Sequence, residues 1–325
     1  MGIQNLTEKD LISALRKGFP ARSPDVVLGI GDDAAVVKIG NSQVLLTKDL
    51  LIEDHHFKTV YHPPALLGRK CLNVNLSDIA AMGGRPRFAL LGLGIPVKTD
   101  PRWGDEFLKG LKAAAREASV QLVGGDVSEA KKITISVSIV GTTKSFFRRD
   151  GARPGDRIFV SGSLGNAKYG FLLLKEGMRL GEDRKMDVFI NSFLDPIPRL
   201  ALGQELARSN VPSAMIDISD GLSVDLQHIC YESHCGAEIY SHNLPVSPVL
   251  KQKKRHYHDL ALHGGEDYEL LFTIPPDRLN RIARLQKKFD MTEIGCIKKE
   301  TGIFLIDAQN LRKKLKIKGF QHFKI

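Results

Sequence analysis

Acidic residues recur in short segments of this 325-residue sequence, either beside glycine or at the end of an apolar stretch. A carboxylate next to buried apolar residues is costly unless it is paired or bound to a cation, and few basic residues lie beside these segments. Oxygen ligands suit hard divalent cations, and Mg²⁺ shared with phosphate groups fits the pattern. The segments, which come from both halves of the chain, are GIGDDAAVV (29–37), TKD (47–49), NLSDIAAMGG (75–84), LVGGD (122–126), IDISDG (216–221) and GGEDYEL (264–270).

The first of these segments raises the question of which anion it meets. Gly29, Gly31 and Ala34 fit the outline G-x-G-x-x-A of a dinucleotide-binding turn, yet Asp32 and Asp33 at its centre would repel a pyrophosphate. Each acidic segment alone is also ordinary turn chemistry, because Asp and Gly are residues that tight turns favour. Together, the segments predict one acidic cleft between two domains, with metal ions between the carboxylates and phosphate.

The net charge narrows the class of partner. It is +10, from 47 basic and 37 acidic residues, which suits either nucleic acid or small anionic substrates. The clearest basic runs, 251–258 and 311–320, do not alternate with several aromatic residues as a base-stacking surface would. Because the acidic segments would repel a polyanion, we expect small anionic substrates and no nucleic acid.

Motifs that would indicate other classes of protein are absent from the sequence. No apolar run approaches the roughly 20 residues of a membrane helix, and the first residues lack the apolar stretch of a signal peptide. The four cysteines are scattered and form neither a disulfide framework nor a zinc pattern. Neither a P-loop nor the H-R-D and D-F-G motifs of protein kinases occurs. We therefore expect a cytoplasmic protein with reduced thiols and no membrane partner.

Alternating strand and helix patterns predict an α/β (α+β) fold in two domains. Turn-forming residues at 148–156 (RRDGARPGD) place the boundary, giving an N-terminal domain 1–148 and a C-terminal α/β domain 149–325. Apolar periodicity predicts helices over 7–19, 63–82, 166–176, 198–209, 221–233 and near 277–289, with a further helix after Asp100-Pro101. The predicted strands are 34–39, 43–47, 88–96, 133–141, 157–163, 213–219, 237–241 and 268–274.

The glycine-rich segment SGSLGNAK (161–168) precedes one of these helices. It has two interpretations that the sequence leaves open: an anion site at the helix N-terminus, or a plain strand-to-helix turn.

The motifs and their order resemble the thiamine-monophosphate kinases, in the superfamily that includes aminoimidazole ribonucleotide synthetase and selenophosphate synthetase. The resemblance covers about residues 5–323. SDIAAMGG, IDISDGL and GGEDYEL are similar to superfamily motifs, whereas DLLIEDHHF (49–57) and GFQHF (319–323) favour the thiamine member. It implies a two-domain fold like that of aminoimidazole ribonucleotide synthetase, with the N-terminal domain holding metal and ATP.

The resemblance also implies an activity and an assembly. The expected reaction transfers the γ-phosphoryl group of ATP directly, in line, to thiamine monophosphate, with several Mg²⁺ ions as cofactors and ATP as co-substrate. A sibling ATP-dependent synthetase on the same fold is the alternative. The N-terminal sheets of two subunits are expected to pair in a homodimer. We assign no catalytic acid or base, because the attacking phosphate oxygen is already ionised at neutral pH and positioning carries the reaction.

Site residues follow from the same resemblance, by position in the motifs. The expected metal ligands are Asp33, Thr47, Asp49, Asp78, Asp126, Asp217 and Asp220, with Asp32 structural. The expected ATP contacts are Gly125, Asp126, Arg149 and Ser219. The expected substrate contacts are His56, which donates to the acceptor phosphate, Glu266, which suits the thiazolium charge, and Phe320, which stacks on the pyrimidine ring.

One residue departs from the family pattern. Lys48 stands where the family usually has a small hydroxyl residue that touches metal, and a charged lysine cannot bind Mg²⁺. Three alternatives remain: the backbone carbonyl replaces the ligand, the side chain turns outward, or its ammonium group replaces one cation.

Overall fold

The computed structural model describes residues 8–253 and 256–320. The helices are α1 (Glu8–Gly18), α2 (Pro64–Ala81), α3 (Pro101–Glu117), α4 (Asn166–Lys175), α5 (Arg184–Leu194), α6 (Leu200–Ser209), α7 (Leu222–Glu232), α8 (Pro248–Lys253), α9 (Tyr257–His263) and α10 (Leu279–Gln286). The strands are β1 (Val26–Leu28), β2 (Ala35–Ile39), β3 (Ser42–Ile52), β4 (Arg85–Ile95), β5 (Gln121–Glu129), β6 (Thr134–Thr143), β7 (Arg157–Ser161), β8 (Ala214–Asp217), β9 (Gly236–Tyr240), β10 (Leu270–Ile274), β11 (Met291–Lys298), β12 (Gly302–Ile306) and β13 (Arg312–Lys314). Residue 7 of the first predicted helix and residues 321–323 of the GFQHF motif lie outside the described residues.

The first sheet has the strand order β1-β2-β3-β6-β4-β5. Its central strand β6 alternates in sequence, so Ile135, Val137 and Ile139 are buried while Ser136 and Ser138 lie on the opposite face. The helices α2 and α3 cover the buried face. The opposite face is open in the single chain, which gives the sheet one apolar exposed side.

The two covering helices cross at very short range, and glycine makes this possible. A Cβ atom on Gly110 of α3 would lie 1.7 Å from the carbonyl oxygen of Ala65, and one on Gly68 of α2 would lie 2.1 Å from that of Phe107. Any larger residue would push the helices apart, so these glycines set the distance between α2 and α3.

The second sheet has the strand order β13-β12-β9-β11-β7-β10-β8, in which only β12 and β9 pair in parallel. Its strand β10 is buried at every residue. Leu271 belongs to one apolar cluster, whereas Leu270 and Phe272 belong to another. Helices therefore cover both faces of this sheet, which explains the continuous apolar sequence of β10.

Helix α2 lies between the two sheets and contacts both. It packs against β3 and β6 of the first sheet, and against β8, α5 and α6 of the second half. Pro64 begins the helix, and Gly83, with a φ of +67°, lets the chain leave it. Because α2 is surrounded on nearly all sides, its polar residues Lys70 and Ser77 are buried as well.

The α/β fold expected from the sequence is confirmed, but two predicted loops are strands. We expected β3 to end before Asp49 and the segment before Asp126 to be a loop. In the structure β3 continues to Ile52, and Asp126 lies in the middle of β5. The sequence also did not predict α5 or the strands β11 to β13. The two sheets fall on either side of 148–149, and the domain boundary itself stays a prediction.

Candidate functional site

Three of the predicted metal ligands converge at the junction of the two halves. Asp33 lies in the turn before β2, Asp78 in the last turn of α2, and Asp217 at the end of β8. One carboxylate oxygen from each lies within 4.8 Å of the others. Burial, together with the charge of Asp33, raises the pKa of Asp217 to about 8, and burial and neighbouring carboxylates raise that of Asp78 well above its usual range. Such crowding favours a divalent cation among the three.

Two further predicted ligands lie beside this cluster on β3. The hydroxyl group of Thr47 donates a hydrogen bond to Asp78 Oδ2. Asn75 of α2 accepts a hydrogen bond from the backbone N–H of Asp49 at 3.0 Å, which fixes the strand against the helix. Burial, and then the charge of Glu266, raises the pKa of Asp49 to about 6. Strand alternation points Thr47 and Asp49 inward.

Arg149 holds the turn that carries the paired aspartates. Its Nη2 donates to Asp33 Oδ1 at 2.6 Å, and its backbone N–H donates to Asp32 Oδ2 at 3.2 Å. Asp33 Oδ2 and Arg149 Nε are both buried, and neither has a hydrogen-bond partner within the part of the chain that the structure describes. Arg149 Nε nevertheless lies 3.6 Å from Asp32 Oδ1, so the ion pair holds this group within the turn. Asp33 Oδ2 is an unused acceptor, which suits a cation.

Gly125 and Asp126 are not brought to this cluster. Asp49, Val137, Leu91 and Gly125 lie in one row across β3, β6, β4 and β5. Three strand spacings of about 4.8 Å therefore place Gly125 about 14 Å from Asp49. A Cβ atom on Gly125 would lie 1.9 Å from the carbonyl oxygen of Leu91, so the sheet itself requires glycine there. Asp126 lies exposed on the edge strand.

Asp220 belongs to a second group of side chains. Three ligand atoms lie within 4.8 Å of one another here: a carboxylate oxygen of Asp220, a carboxylate oxygen of Asp225 and a ring nitrogen of His228. Asp225 accepts a hydrogen bond from the backbone N–H of Gly221 at 3.0 Å, at the start of α7. Ser219, beside this group, accepts a hydrogen bond from the backbone of Glu266 at 2.7 Å.

Two of the predicted substrate contacts, His56 and Phe320, lie close to each other, and the third, Glu266, lies close to Asp49. The rings of His56 and Phe320 lie 6.2 Å apart between centroids. His56 Nδ1 accepts a hydrogen bond from the backbone N–H of Ile52 at 3.0 Å, so in the neutral ring the proton is on Nε2. The backbone N–H of Phe320 donates to the backbone carbonyl oxygen of Asp220 at 3.3 Å, which anchors the last described segment beside the acidic loops.

The N-terminus of α4 is not an open anion site. The carboxylate of Asp267 accepts hydrogen bonds from the backbone N–H groups of Gly165, at 2.8 Å, and Ala167, at 3.2 Å. The segment 161–168 is therefore a strand-to-helix turn that an internal carboxylate already caps.

The Lys48 side chain turns outward, which is one of the three alternatives that the sequence left open; whether its backbone carbonyl binds metal stays a prediction. It is exposed on the open face of β3, between the inward residues Thr47 and Asp49. It lines a cavity of about 450 Å³, together with Arg22 and the turn that carries Asp33. This cavity adjoins the carboxylate cluster and contains two basic side chains.

Several residues that support the site were not predicted from the sequence. Ser77 donates to Asp217 Oδ2 at 2.6 Å, and Lys70 forms an ion pair with Glu266. The available signal was the presence of Lys, Asn and Ser at positions of α2 that are otherwise apolar. Such residues are buried only when they have specific partners.

Family models and curated relatives match nearly the whole chain. Residues 31–143 match the family of the AIR synthase related protein N-terminal domain, and residues 153–308 match that of the C-terminal domain. The thiamine-monophosphate kinase of Aquifex aeolicus is 38% identical over 331 residues, covering 99% of this chain and 100% of the relative. The thiamine-monophosphate kinase of Buchnera aphidicola subsp. Acyrthosiphon pisum is 36% identical over 327 residues, covering 98% of this chain and 99% of the relative.

A solved structure of a related protein also matches nearly the whole chain. AaThiL complexed with AMPPCP and TMP superimposes with a TM-score of 0.88 at 37% identity, covering 99% of each chain. No described helix of our structure is both long and apolar enough to cross a membrane. By sequence, domain composition and fold, the chain belongs to the thiamine-monophosphate kinase family, within the AIR synthase related proteins.

Proposed function

We propose that this protein transfers the γ-phosphoryl group of ATP to thiamine monophosphate, giving thiamine diphosphate and ADP. The observation that carries the proposal is the convergence of Asp33, Asp78 and Asp217 from both halves of the chain. Two anionic reactants can approach each other only where their charge is neutralised, and such a cluster recruits the cations that do this. Family membership supports the choice of both substrates.

The side chains at the cluster fit Mg²⁺. All are oxygen donors, and the buried Asp33 Oδ2 has no hydrogen-bond partner among the described residues. Asp33, Thr47, Asp49, Asp78 and Asp217 would hold the ions. When bound, Mg²⁺ neutralises phosphate charge as it moves towards the leaving group. Asp126 and Asp220 stay proposed ligands that lie outside this cluster within a single chain.

The nucleotide is proposed to enter through the cavity beside the cluster. Arg22 and Lys48 offer positive charge along its wall. The partly exposed guanidinium group of Arg149, which pairs with Asp33, is the proposed contact for a phosphate oxygen. Ser219 and Gly125 remain proposed ATP contacts.

The acceptor is proposed to bind beside His56, Glu266 and Phe320. His56 Nε2 donates to the acceptor phosphate, Phe320 stacks on the pyrimidine ring, and Glu266 faces the thiazolium cation. No side chain needs to remove a proton, because the attacking oxygen is ionised at neutral pH. The role of these residues is to hold the acceptor phosphate in line with the γ-phosphoryl group of ATP.

A homodimer is the assembly that the open face of the first sheet favours. Leu46, Leu50, Phe88 and Leu90 are each at least 40% exposed on that face, and a second copy would cover them. Light scattering on the purified protein and on Leu90→Lys tests this proposal, with the variant expected to be monomeric. The cytoplasmic location stays a prediction.

An activity assay tests the proposed reaction. The purified protein should convert ATP to ADP only when thiamine monophosphate and Mg²⁺ are both present, and thiamine diphosphate should appear in equal amount. Asp78→Ala should lose nearly all activity while remaining folded, which circular dichroism checks. Turnover of an amidine-forming substrate instead would favour the sibling synthetase and contradict the proposal.

A further inference from the structure

The side chain of Lys70 lies entirely inside the protein, with 1% of its area exposed. Its Nζ donates to the carbonyl oxygen of Phe193 at 2.8 Å and lies 3.9 Å from the centre of that ring. A buried ammonium group is retained only where specific partners replace water. These contacts with Phe193 provide part of that environment, and the charge itself needs an anion.

The anion is Glu266, one of the proposed substrate contacts. Lys70 Nζ forms an ion pair with Glu266 Oε2 at 2.5 Å. That oxygen is buried and makes no hydrogen bond within the described ranges 8–253 and 256–320. The rest of the Glu266 side chain is partly exposed, at 29%. The ion pair therefore holds one carboxylate oxygen inward, so that the accessible part of the group lies away from Lys70.

The backbone of Glu266 adopts an unfavourable conformation. Its φ of +72° lies in the left-handed region, which is unfavourable for a residue with a side chain. Its N–H donates to Ser219, but nothing in that bond sets the direction of the side chain. Glu266 also lies close enough to Asp49 to raise the pKa of that carboxyl, after the effect of burial. Without Lys70, two neighbouring carboxylates would repel each other.

We infer that Lys70 is a positioning residue for the acceptor, which holds the Glu266 carboxylate towards a cationic ring. The inference rests on the proposed function, since it concerns the same acceptor site. Lys70 is buried and does not touch the acceptor; it acts through Glu266. Its effect is selectivity: an acceptor whose ring carries a positive charge is preferred over one of the same shape with a neutral ring.

The test compares two acceptors, thiamine monophosphate and its thiazolone analogue, which has a neutral ring. The variants are Lys70→Met, Glu266→Gln and the double variant. We expect each single variant to raise KM for thiamine monophosphate about tenfold or more, with KM for ATP within about twofold of wild type. The preference in kcat/KM for the charged ring should fall towards one in all three variants. The double variant should be no worse than Glu266→Gln.

Arg69→Met is the matched control. Arg69 precedes Lys70 on α2 and also joins the two halves, through an ion pair of 2.6 Å with Asp195. It should leave KM for thiamine monophosphate and the ring preference unchanged. If Lys70→Met does not fold, Lys70→Gln replaces it in the test, because it removes the charge but keeps a polar group beside Glu266.

The experiment distinguishes failure of the proposed function from failure of the inference about Lys70. If the wild type does not phosphorylate thiamine monophosphate, the proposed function fails and the inference fails with it. If the wild type is active but the folded Lys70 variants keep their ring preference, or if the two substitutions act independently, only the inference is overturned.

Discussion

Ser77 and Asp217 join the two halves of the site, since the Ser77 hydroxyl group donates to Asp217 Oδ2 at 2.6 Å. Ser77 lies on α2, and Asp217 ends β8 of the second sheet. The hydrogen bond favours the ionised carboxylate and so lowers the pKa of Asp217, against the larger opposing effect of burial. Ser77 therefore helps to keep a proposed metal ligand available near neutral pH.

Ser77→Ala is expected to weaken Mg²⁺ binding. Loss of the donor raises the pKa of Asp217 further, so protons compete better with the cation. The Mg²⁺ concentration for half-maximal activity should rise about threefold to tenfold at pH 7, and less at pH 9. Ser192→Ala, which removes a hydroxyl group bonded within α5, is the control and should behave as wild type. An unchanged Mg²⁺ dependence at pH 7 would contradict this role.

Arg149→Met is expected to destabilise the protein most when Mg²⁺ is absent. The substitution leaves Asp33, whose side chain is 1% exposed, without its counter-charge, and breaking such a pair costs about 3 kcal/mol or more. Saturating Mg²⁺ should recover part of this loss. The neighbouring pair of Arg148 and Asp150 is exposed, so Arg148→Met should cost less than about 1 kcal/mol. Denaturant unfolding of both variants, with and without Mg²⁺, makes the comparison.

The metal-free protein should become less stable as pH rises from about 4 to about 8. In the folded protein the pKa values of Asp78 and Asp217 lie above those of the unfolded chain, that of Asp217 at about 8. The folded state therefore binds more protons in this window, and each such carboxyl lowers the free energy of unfolding by up to about 1.4 kcal/mol per pH unit. Mg²⁺ should flatten the dependence, because it replaces the protons.

Unfolding curves at pH 5, 6.5 and 8, with EDTA or with Mg²⁺, check this expectation. Asp217→Asn should remove part of the slope. Stability that increases with pH in the presence of EDTA would show that other groups dominate.

Gly110→Ala is expected to disrupt the crossing of α2 and α3. The new Cβ atom would lie 1.7 Å from the carbonyl oxygen of Ala65, so the helices must separate, at a cost of about 3 kcal/mol or more. Gly104→Ala lies on the same helix, where nothing lies within 4 Å of the new atom. It should stabilise the protein by about 0.5–1 kcal/mol. Thermal unfolding of the two variants separates steric overlap from helix propensity.

An acidic cleft could be predicted because its segments have a local signal, whereas the choice of individual ligands came from the family resemblance. Asp33, Asp78 and Asp217 each adjoin an apolar segment that must be buried, so carboxylates there need an unusual partner. The position of Asp126 could not be predicted in the same way. Its glycine-rich segment is typical of a loop, and only pairing with β4 makes it a strand at the sheet edge, about 14 Å from Asp49.

The supporting residues were harder to predict because their roles depend on tertiary contacts. Lys70 and Ser77 are polar residues on a helix, which commonly indicates a solvated face. Only the second half of the chain, packed on α2, turns that face inward and supplies Glu266 and Asp217 as partners. Similarly, Asp225 and His228 form a group with Asp220 only because α7 begins directly after the acidic turn.

The division of the carboxylate cluster between two sheets links cation binding to the angle between the halves. Asp33 precedes β2 of the first sheet, Asp78 lies on α2 between the sheets, and Asp217 ends β8 of the second sheet, so a rotation between the sheets would change the spacing of the oxygens. An ion of given radius binds best at one angle, and by reciprocity its binding stabilises that angle. A larger ion such as Ca²⁺ would then hold the halves in a different orientation from Mg²⁺, and would space the two reacting phosphates differently.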